Sequence, residues 1–212
     1  MRRWFGLRDV QAMMLGMLLM LPLAACATDQ QVYAGADGGY AVVSMMVRSD
    51  AMRPAVRLDF QRRDGSSRNV IFWHDDPLSP GPSADFKLPE GRGIVGSLRL
   101  APGDYEISGF LVGYSNRDIY PKKPFSIPFH VEAGRVTYLG EYTFATIYGE
   151  NLFGMSVPAV PMITVADAHA RDVPVFVSRN PGAAGLPVQV TVSDPKSLNL
   201  PFFPKEPPPW HH

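Results

Sequence analysis

Cys26 is the only thiol in this chain of 212 residues, so it is the sole candidate for cysteine nucleophile chemistry and no intrachain disulfide can form. The compact run Trp73-His74-Asp75-Asp76 offers imidazole and carboxylate donors of the kind that hold a divalent cation. Adjacent residues on an extended chain point to opposite sides, so at most two of these donors converge unaided. A strand end followed by a solvated acidic turn is the plainer reading, and no metal site is assigned. His130 falls on the polar face of its expected strand. His169 stands beside Asp167, Arg171 and Asp172 in what reads as a solvated helix face, and His211 and His212 end the chain. A further group, Tyr114, Asn116, Arg117 and Tyr120 within residues 113–124, combines aromatic area with hydrogen-bonding groups as recognition loops do. An ordinary strand connector is the alternative there. No G-x-S-x-G, H-E-x-x-H or G-x-x-x-x-G-K-[ST] occurs, and no catalytic residue or cofactor is assigned.

Arg2, Arg3 and Arg8 precede a mostly apolar stretch from Ala12 to Ala25, which is shorter than the roughly 20 residues a membrane-spanning helix needs. The run Leu23-Ala24-Ala25-Cys26 then resembles the lipobox of bacterial lipoprotein precursors. That resemblance implies cleavage between Ala25 and Cys26, transfer of a diacylglyceryl group to the Cys26 thiol, and acylation of the new amine by a palmitate-type chain. One acyl chain binds a membrane only marginally, whereas two or more hold stably. Ala27, rather than Asp, follows the cysteine and resembles outer-membrane sorting. The alternatives are a twin-arginine route through Arg2-Arg3-Trp4-Phe5, a secreted protein with a coincidental cysteine, or an uncleaved signal anchor.

Residues 1–25 carry Arg2, Arg3, Arg8 and Asp9. Removing them from a chain balanced at 20 basic and 20 acidic residues leaves a net charge of about −2. With no basic excess to neutralise phosphates, nucleic acid is not an expected partner. The 21 prolines and 19 glycines favour short strands and turns over long helices.

The elements that must position these residues follow from period-two alternation. Residues 27–39 are polar and read as a tether. Tyr40 to Val47 alternates with both faces apolar, as in a strand buried on both sides. Val56, Leu58 and Phe60 alternate with Arg57, Asp59 and Gln61, and after the Asp64-Gly65 turn, Val70 to His74 returns as a hairpin partner. Asp75 to Gly91 reads as a long surface loop. Ile94, Leu98 and Leu100 lead into the Pro102-Gly103 turn, and Tyr105, Ile107 and Leu111 are expected on one face of the next strand. Phe125 to Val131 alternates, but Pro128 restricts it to an edge or a bulge. Ala133-Gly134 turns the chain into a strand with Val136, Tyr138, Tyr142 and Phe144. Ala166 to Arg171 reads as a short helix, although Val173, Val175 and Val177 also fit a strand. Val188 to Val192 is the last strand, before a proline-rich tail.

Two segments carry a fold resemblance. Leu100-Ala101-Pro102-Gly103-Asp104-Tyr105-Glu106-Ile107 is similar to the turn-and-strand element of transthyretin-like and carboxypeptidase-regulatory-like domains. Val131-Glu132-Ala133-Gly134-Arg135-Val136-Thr137-Tyr138-Leu139-Gly140 is similar to a strand pair of small uncharacterised bacterial lipoproteins. The expected architecture is therefore all-β: a single antiparallel β-sandwich of immunoglobulin or transthyretin-like kind over residues 40–193. A signal helix (1–25) and a lipidated flexible tether (26–39) precede it, and a disordered proline-rich tail (194–212) follows. The expected function is a non-enzymatic structural or interaction module of the cell envelope. Cys26 would anchor it in the outer membrane, facing the periplasm or the surface, with an envelope protein or a glycan as partner. The alternatives are a glycan- or peptidoglycan-binding module using Tyr114 to Tyr120, and an envelope hydrolase with paired carboxylates.

Overall fold

A computed structural model of the chain describes residues 33–48, 54–75, 83–114, 117–150 and 152–194. The protein is mostly β. Its strands are β1 (Gly39–Arg48), β2 (Ala55–Arg62), β3 (Arg68–His74), β4 (Phe86–Leu88), β5 (Gly91–Leu100), β6 (Gly103–Tyr114), β7 (Arg117–Ile119), β8 (Ile127–Val131), β9 (Val136–Glu150), β10 (Ser156–Ala166) and β11 (Val188–Val190). A helix, α1 (His169–Arg179), and a short 3-10 turn (Pro181–Ala183) lie between β10 and β11.

The strands form two sheets. The first has the order β10-β9-β1-β5-β4, with β11 also on β9. The second runs β3-β2-β6, and both β7 and β8 pair with the edge of β6 that faces away from β2. β8, with Pro128 exposed in it, pairs with β6 alone among the described residues, as a proline-bearing strand must if no ladder bond is to be lost. The turns expected at Asp64-Gly65 and Ala133-Gly134 occur, each with its glycine at positive φ, whereas Pro102-Gly103 is a bend that runs straight into β6, with Gly103 at φ +146° rather than the roughly +80° of a type II turn.

β1 is buried on both faces, as its sequence implies. Ala41, Val43, Met45 and Val47 join a large apolar cluster with Val56, Leu58, Phe60 and Trp73 of the second sheet. Val42 and Met46 face the other way, into a smaller cluster with Tyr138 and with Phe176 of α1.

Four expectations are corrected. The pairing is not wholly antiparallel, because β9 and β1 run parallel, and so do β11 and β9. Parallel neighbours need a long crossover, and here the whole second sheet is threaded between β1 and β9. Leu111 does not share a face with Tyr105 and Ile107. Asp59 pairs with Gly109 and Phe60 with Ile107, so Ser108 is an extra residue; this bulge turns Phe110, Val112 and Tyr114 inward instead. The loop from Asp75 to Gly91 contains β4, whose Phe86 packs into the smaller cluster. The loop from Gly113 to Pro124 begins as a hairpin, with Tyr114 paired to Arg117.

The segment after Val165 is helical from His169, and Val173, Val175 and Val177 lie in α1 rather than in a strand. β-Branched residues disfavour a helix only by tenths of a kcal/mol, and the sheet face formed by Val42, Met46 and Tyr138 repays this by taking Phe176 into its cluster. Asp172 and Phe176, four residues apart, share the face that is buried.

Candidate functional site

The two sheets share an orientation. β5 and β6 are joined by a tight turn, so Gly39, which pairs with Leu100, lies at the same end as Gly103 and the β2–β3 turn. At the opposite end stand Arg48, Ala55, His74, Gly91 and Tyr114, as their pairings require. β9 runs past this second end. It has β1 as neighbour only as far as Phe144; from Ala145 to Glu150, β10 is its only partner among the described residues. The result is a two-stranded arm. β10 can take that edge because β11 leaves it at Tyr138. The change of partner falls at Gly140, whose φ of +110° suits glycine and where a Cβ would come within 3.1 Å of Val165.

The arm exposes apolar side chains. Leu152 is fully exposed and Phe153 is 84% exposed, with Met155, Ile147 and Tyr148 also open to solvent. Glu150 is the only ionisable carboxylate or cation between Ala145 and Thr164. Clusters of exposed large apolar side chains mark contact surfaces. The arm carried no expectation from the sequence, where Leu152-Phe153 reads as two apolar residues without a period.

The residues singled out from sequence are distributed as follows. Tyr114 is turned inward by the β6 bulge, and its hydroxyl lies 2.9 Å from Thr146 Oγ1 at the base of the arm. Tyr120 is exposed and Arg117 lies in β7, whereas Asn116 is outside the described residues. Trp73 is buried in the large cluster, and the carboxylate of Asp75 is ion-paired to Arg92 Nε at 2.9 Å. Asp76 lies outside the described residues, as do Ala25, Cys26 and the tail from residue 195. Among the described residues, no group of three or more His, Cys, Asp or Glu side chains is placed to hold a metal. No helix among them is long and apolar enough to cross a membrane.

His130 is exposed and pairs with Asp104 at 2.8 Å. His169 is likewise exposed. Its backbone N–H and its ring both reach Asp167, and the backbone bond first, then the ring, holds that carboxyl below the usual range. A groove of about 550 Å³ on the second sheet is lined by both Asp59 and Glu106, the kind of carboxylate pair a glycan-cleaving site needs. Each is already engaged: Asp59 with Arg57 Nε at 2.6 Å, and Glu106 as acceptor of the Ser126 hydroxyl at 2.5 Å.

The charged run at the start of α1 is not simply a solvated face. Asp172 is fully buried. Its Oδ2 accepts the Ser44 hydroxyl at 2.5 Å and the Tyr138 hydroxyl at 2.6 Å, and its Oδ1 accepts Arg171 Nε at 2.7 Å. Arg171 also donates to Glu141 Oε2 at 2.5 Å and lies 3.6 Å over the Phe86 ring. Burial first, then the adjacent Asp172 carboxylate, pushes the Tyr138 hydroxyl far above the ordinary tyrosine range. Burial pulls the Arg171 guanidinium down, but its bonds to Asp172 and Glu141 outweigh that and raise it. At the other end of α1, Arg179 pairs with Asp85 and donates to the Val95 carbonyl. These contacts fasten the helix over β1 and β9. The one sequence signal for them was Ser44, a polar residue inside an apolar strand.

No family model matches this chain, and no curated protein matches it. Among solved structures it is similar to a leucine-rich repeat protein from Bacteroides thetaiotaomicron VPI-5482, with 10% identity and a TM-score of 0.31. The match covers 50% of this chain and 14% of that protein. Likeness at that level carries no argument about fold or function.

Proposed function

We propose that the protein is a non-enzymatic lipoprotein of the cell envelope, anchored through Cys26 in the outer membrane. Its single β-sandwich, of immunoglobulin or transthyretin-like kind, holds out the β9–β10 arm to an envelope protein. The larger cluster, shared by inner residues of both sheets, supports the sandwich. The lipobox-like run Leu23-Ala24-Ala25-Cys26 supports the anchor.

The observation that carries the reading is the placement of the apolar arm. Its tip lies at the end of β9 opposite to Val136, which pairs beside the start of β1. Over the 15 residues of β9, that separation is about 45 Å at about 3.3 Å per residue. Leu152 and Phe153 therefore stand that far from the start of β1, and tethering through Cys26 would raise their local concentration for a partner.

The test is metabolic labelling with an alkyne fatty acid. Wild-type protein takes the label and fractionates with membranes, and Cys26→Ser loses both. Retention of label by Cys26→Ser sinks the anchor. Full rescue of a deletion strain by an exported, unlipidated form would sink the tethering role.

A further inference from the structure

Where the tether meets the domain, a cavity of about 350 Å³ opens between the ends of the two sheets. Its wall is fixed rather than incidental. The backbone N–H of Tyr33 donates to the Arg99 carbonyl, and the Arg99 guanidinium donates back to the carbonyls of Tyr33 and Gly35. This holds Tyr33 over the opening, although residues 33–38 fall within the range expected to be tether. On the opposite side, the Tyr105 ring is stacked on Phe129 at 5.8 Å and its hydroxyl donates to the Ala101 carbonyl. Ser66 and Ser67 complete the rim.

Asn69 is the residue that asks for a ligand. It pairs with Phe60, whose side chain is in the core, and so its own side chain is on the inner face of the second sheet. It is only 5% exposed and lines the cavity, yet no hydrogen bond among the described residues reaches its carboxamide. Its carboxamide is not among the side-chain atoms sealed from solvent without a partner, so it faces the open cavity and has only what enters there to bond to. A carboxamide offers a donor and an acceptor side by side, which matches two neighbouring hydroxyls. The serine hydroxyls can each donate or accept, that of Ser66 while bonded to Asp64, and the Tyr33 ring provides an apolar face for C–H groups, the Tyr105 ring being buried against Phe129.

Charge and size narrow the class. Arg62 is the only cation lining the cavity among the described residues, and it is already committed: its Nε lies 3.2 Å from Asp64, and another nitrogen donates to the Pro102 carbonyl. A site for an anion would keep that guanidinium free. The volume is at the small end of ligand pockets, which run from about 300 to 1,000 Å³, and so admits one ring rather than a chain. We propose that this cavity binds a neutral monosaccharide unit, with the Asn69 carboxamide spanning adjacent hydroxyls. The site is independent of the arm and of the Cys26 anchor.

The experiment uses the full chain, labelled with 15N-asparagine and purified in a zwitterionic detergent that carries no sugar. The Asn69 carboxamide signals are assigned by their loss in Asn69→Val. Methyl glucopyranoside and N-acetylglucosamine are titrated, with sodium acetate as the anion control. The expected result is a saturable shift of the Asn69 signals by at least one sugar, with a Kd of about 1 mM given so few polar contacts. Acetate should leave those signals in place. Isothermal titration should show binding weakened at least ten-fold in Asn69→Val and also in Ser66→Ala, a rim change that leaves the inner face intact. Absence of a saturable shift, an equal shift with acetate, or unchanged affinity in both variants overturns the proposal.

Discussion

Truncating Asp172 to alanine tests whether the buried polar cluster fastens α1 to the first sheet. The carboxylate accepts the Ser44 and Tyr138 hydroxyls and Arg171 Nε, all within 2.7 Å. Alanine leaves two buried hydroxyls without their acceptor, at about 1–3 kcal/mol each. Arg171 is a quarter exposed and keeps Glu141, so it contributes little to the loss. The two hydroxyls together put the loss for Asp172→Ala at about 2–6 kcal/mol. At about 2–4 °C per kcal/mol for a domain of this size, Tm should fall by roughly 4–24 °C. Asp172→Asn keeps the shape and one acceptor oxygen and should lose roughly half as much. Urea unfolding of Asp172→Ala, Tyr138→Phe and the double variant gives the coupling energy, expected at about 1 kcal/mol or more. Hydrogen exchange should show α1 opening ahead of the strands in Asp172→Ala. A loss below about 1 kcal/mol in Asp172→Ala, with no coupling to Tyr138→Phe, would refute the reasoning.

Three further predictions concern the tyrosines and the arm. Burial raises both Tyr138 and Tyr142 above the ordinary tyrosine value of 10.0, so the folded state keeps protons that the unfolded state releases. Their contribution is full below pH 10.0 and is lost as pH rises above it, so stability should fall at alkaline pH. That fall should be shallower in Tyr138→Phe and in Tyr142→Phe. The Tyr142 hydroxyl, which has no partner among the described residues, should make Tyr142→Phe more stable at neutral pH by up to about 1 kcal/mol, whereas Tyr138→Phe destabilises. For the arm, Leu152→Asp with Phe153→Asp should change stability by less than about 0.5 kcal/mol, as exposed positions do, while abolishing rescue of a deletion strain. Rescue by that variant would remove the arm from the function.

Much of the strand content was legible because alternation reports burial directly. β1 declares its double burial through eight consecutive residues without a charge, Tyr40 to Val47, and β2 declares its single buried face through Val56, Leu58 and Phe60. The turns at Asp64-Gly65 and Ala133-Gly134 were equally readable, since only glycine takes positive φ without strain. What failed to show depends on neighbours distant in sequence. The β6 bulge exists because Ser108 has no partner on β2, and nothing in Ile107-Ser108-Gly109-Phe110 shows that. Val173 to Val177 fits a strand as well as a helix until the face of β1 and β9 supplies a surface for Phe176.

The candidate surfaces divide in the same way. The lipidation proposed at Cys26 is chemistry that a linear pattern could carry, because a lipobox is a short run of consecutive residues such as Leu23-Ala24-Ala25-Cys26. The sequence by itself determined a β-rich chain with a single thiol, near-neutral charge and a predicted anchor. Only the tertiary structure decided that Asp172 lies buried under Arg171, that Tyr114 turns inward, that Asn69 opens on a cavity and that Leu152 and Phe153 project on an arm. Alternation and turn chemistry act between near neighbours, whereas burial, pairing register and exposure are set by strands brought together from distant parts of the chain.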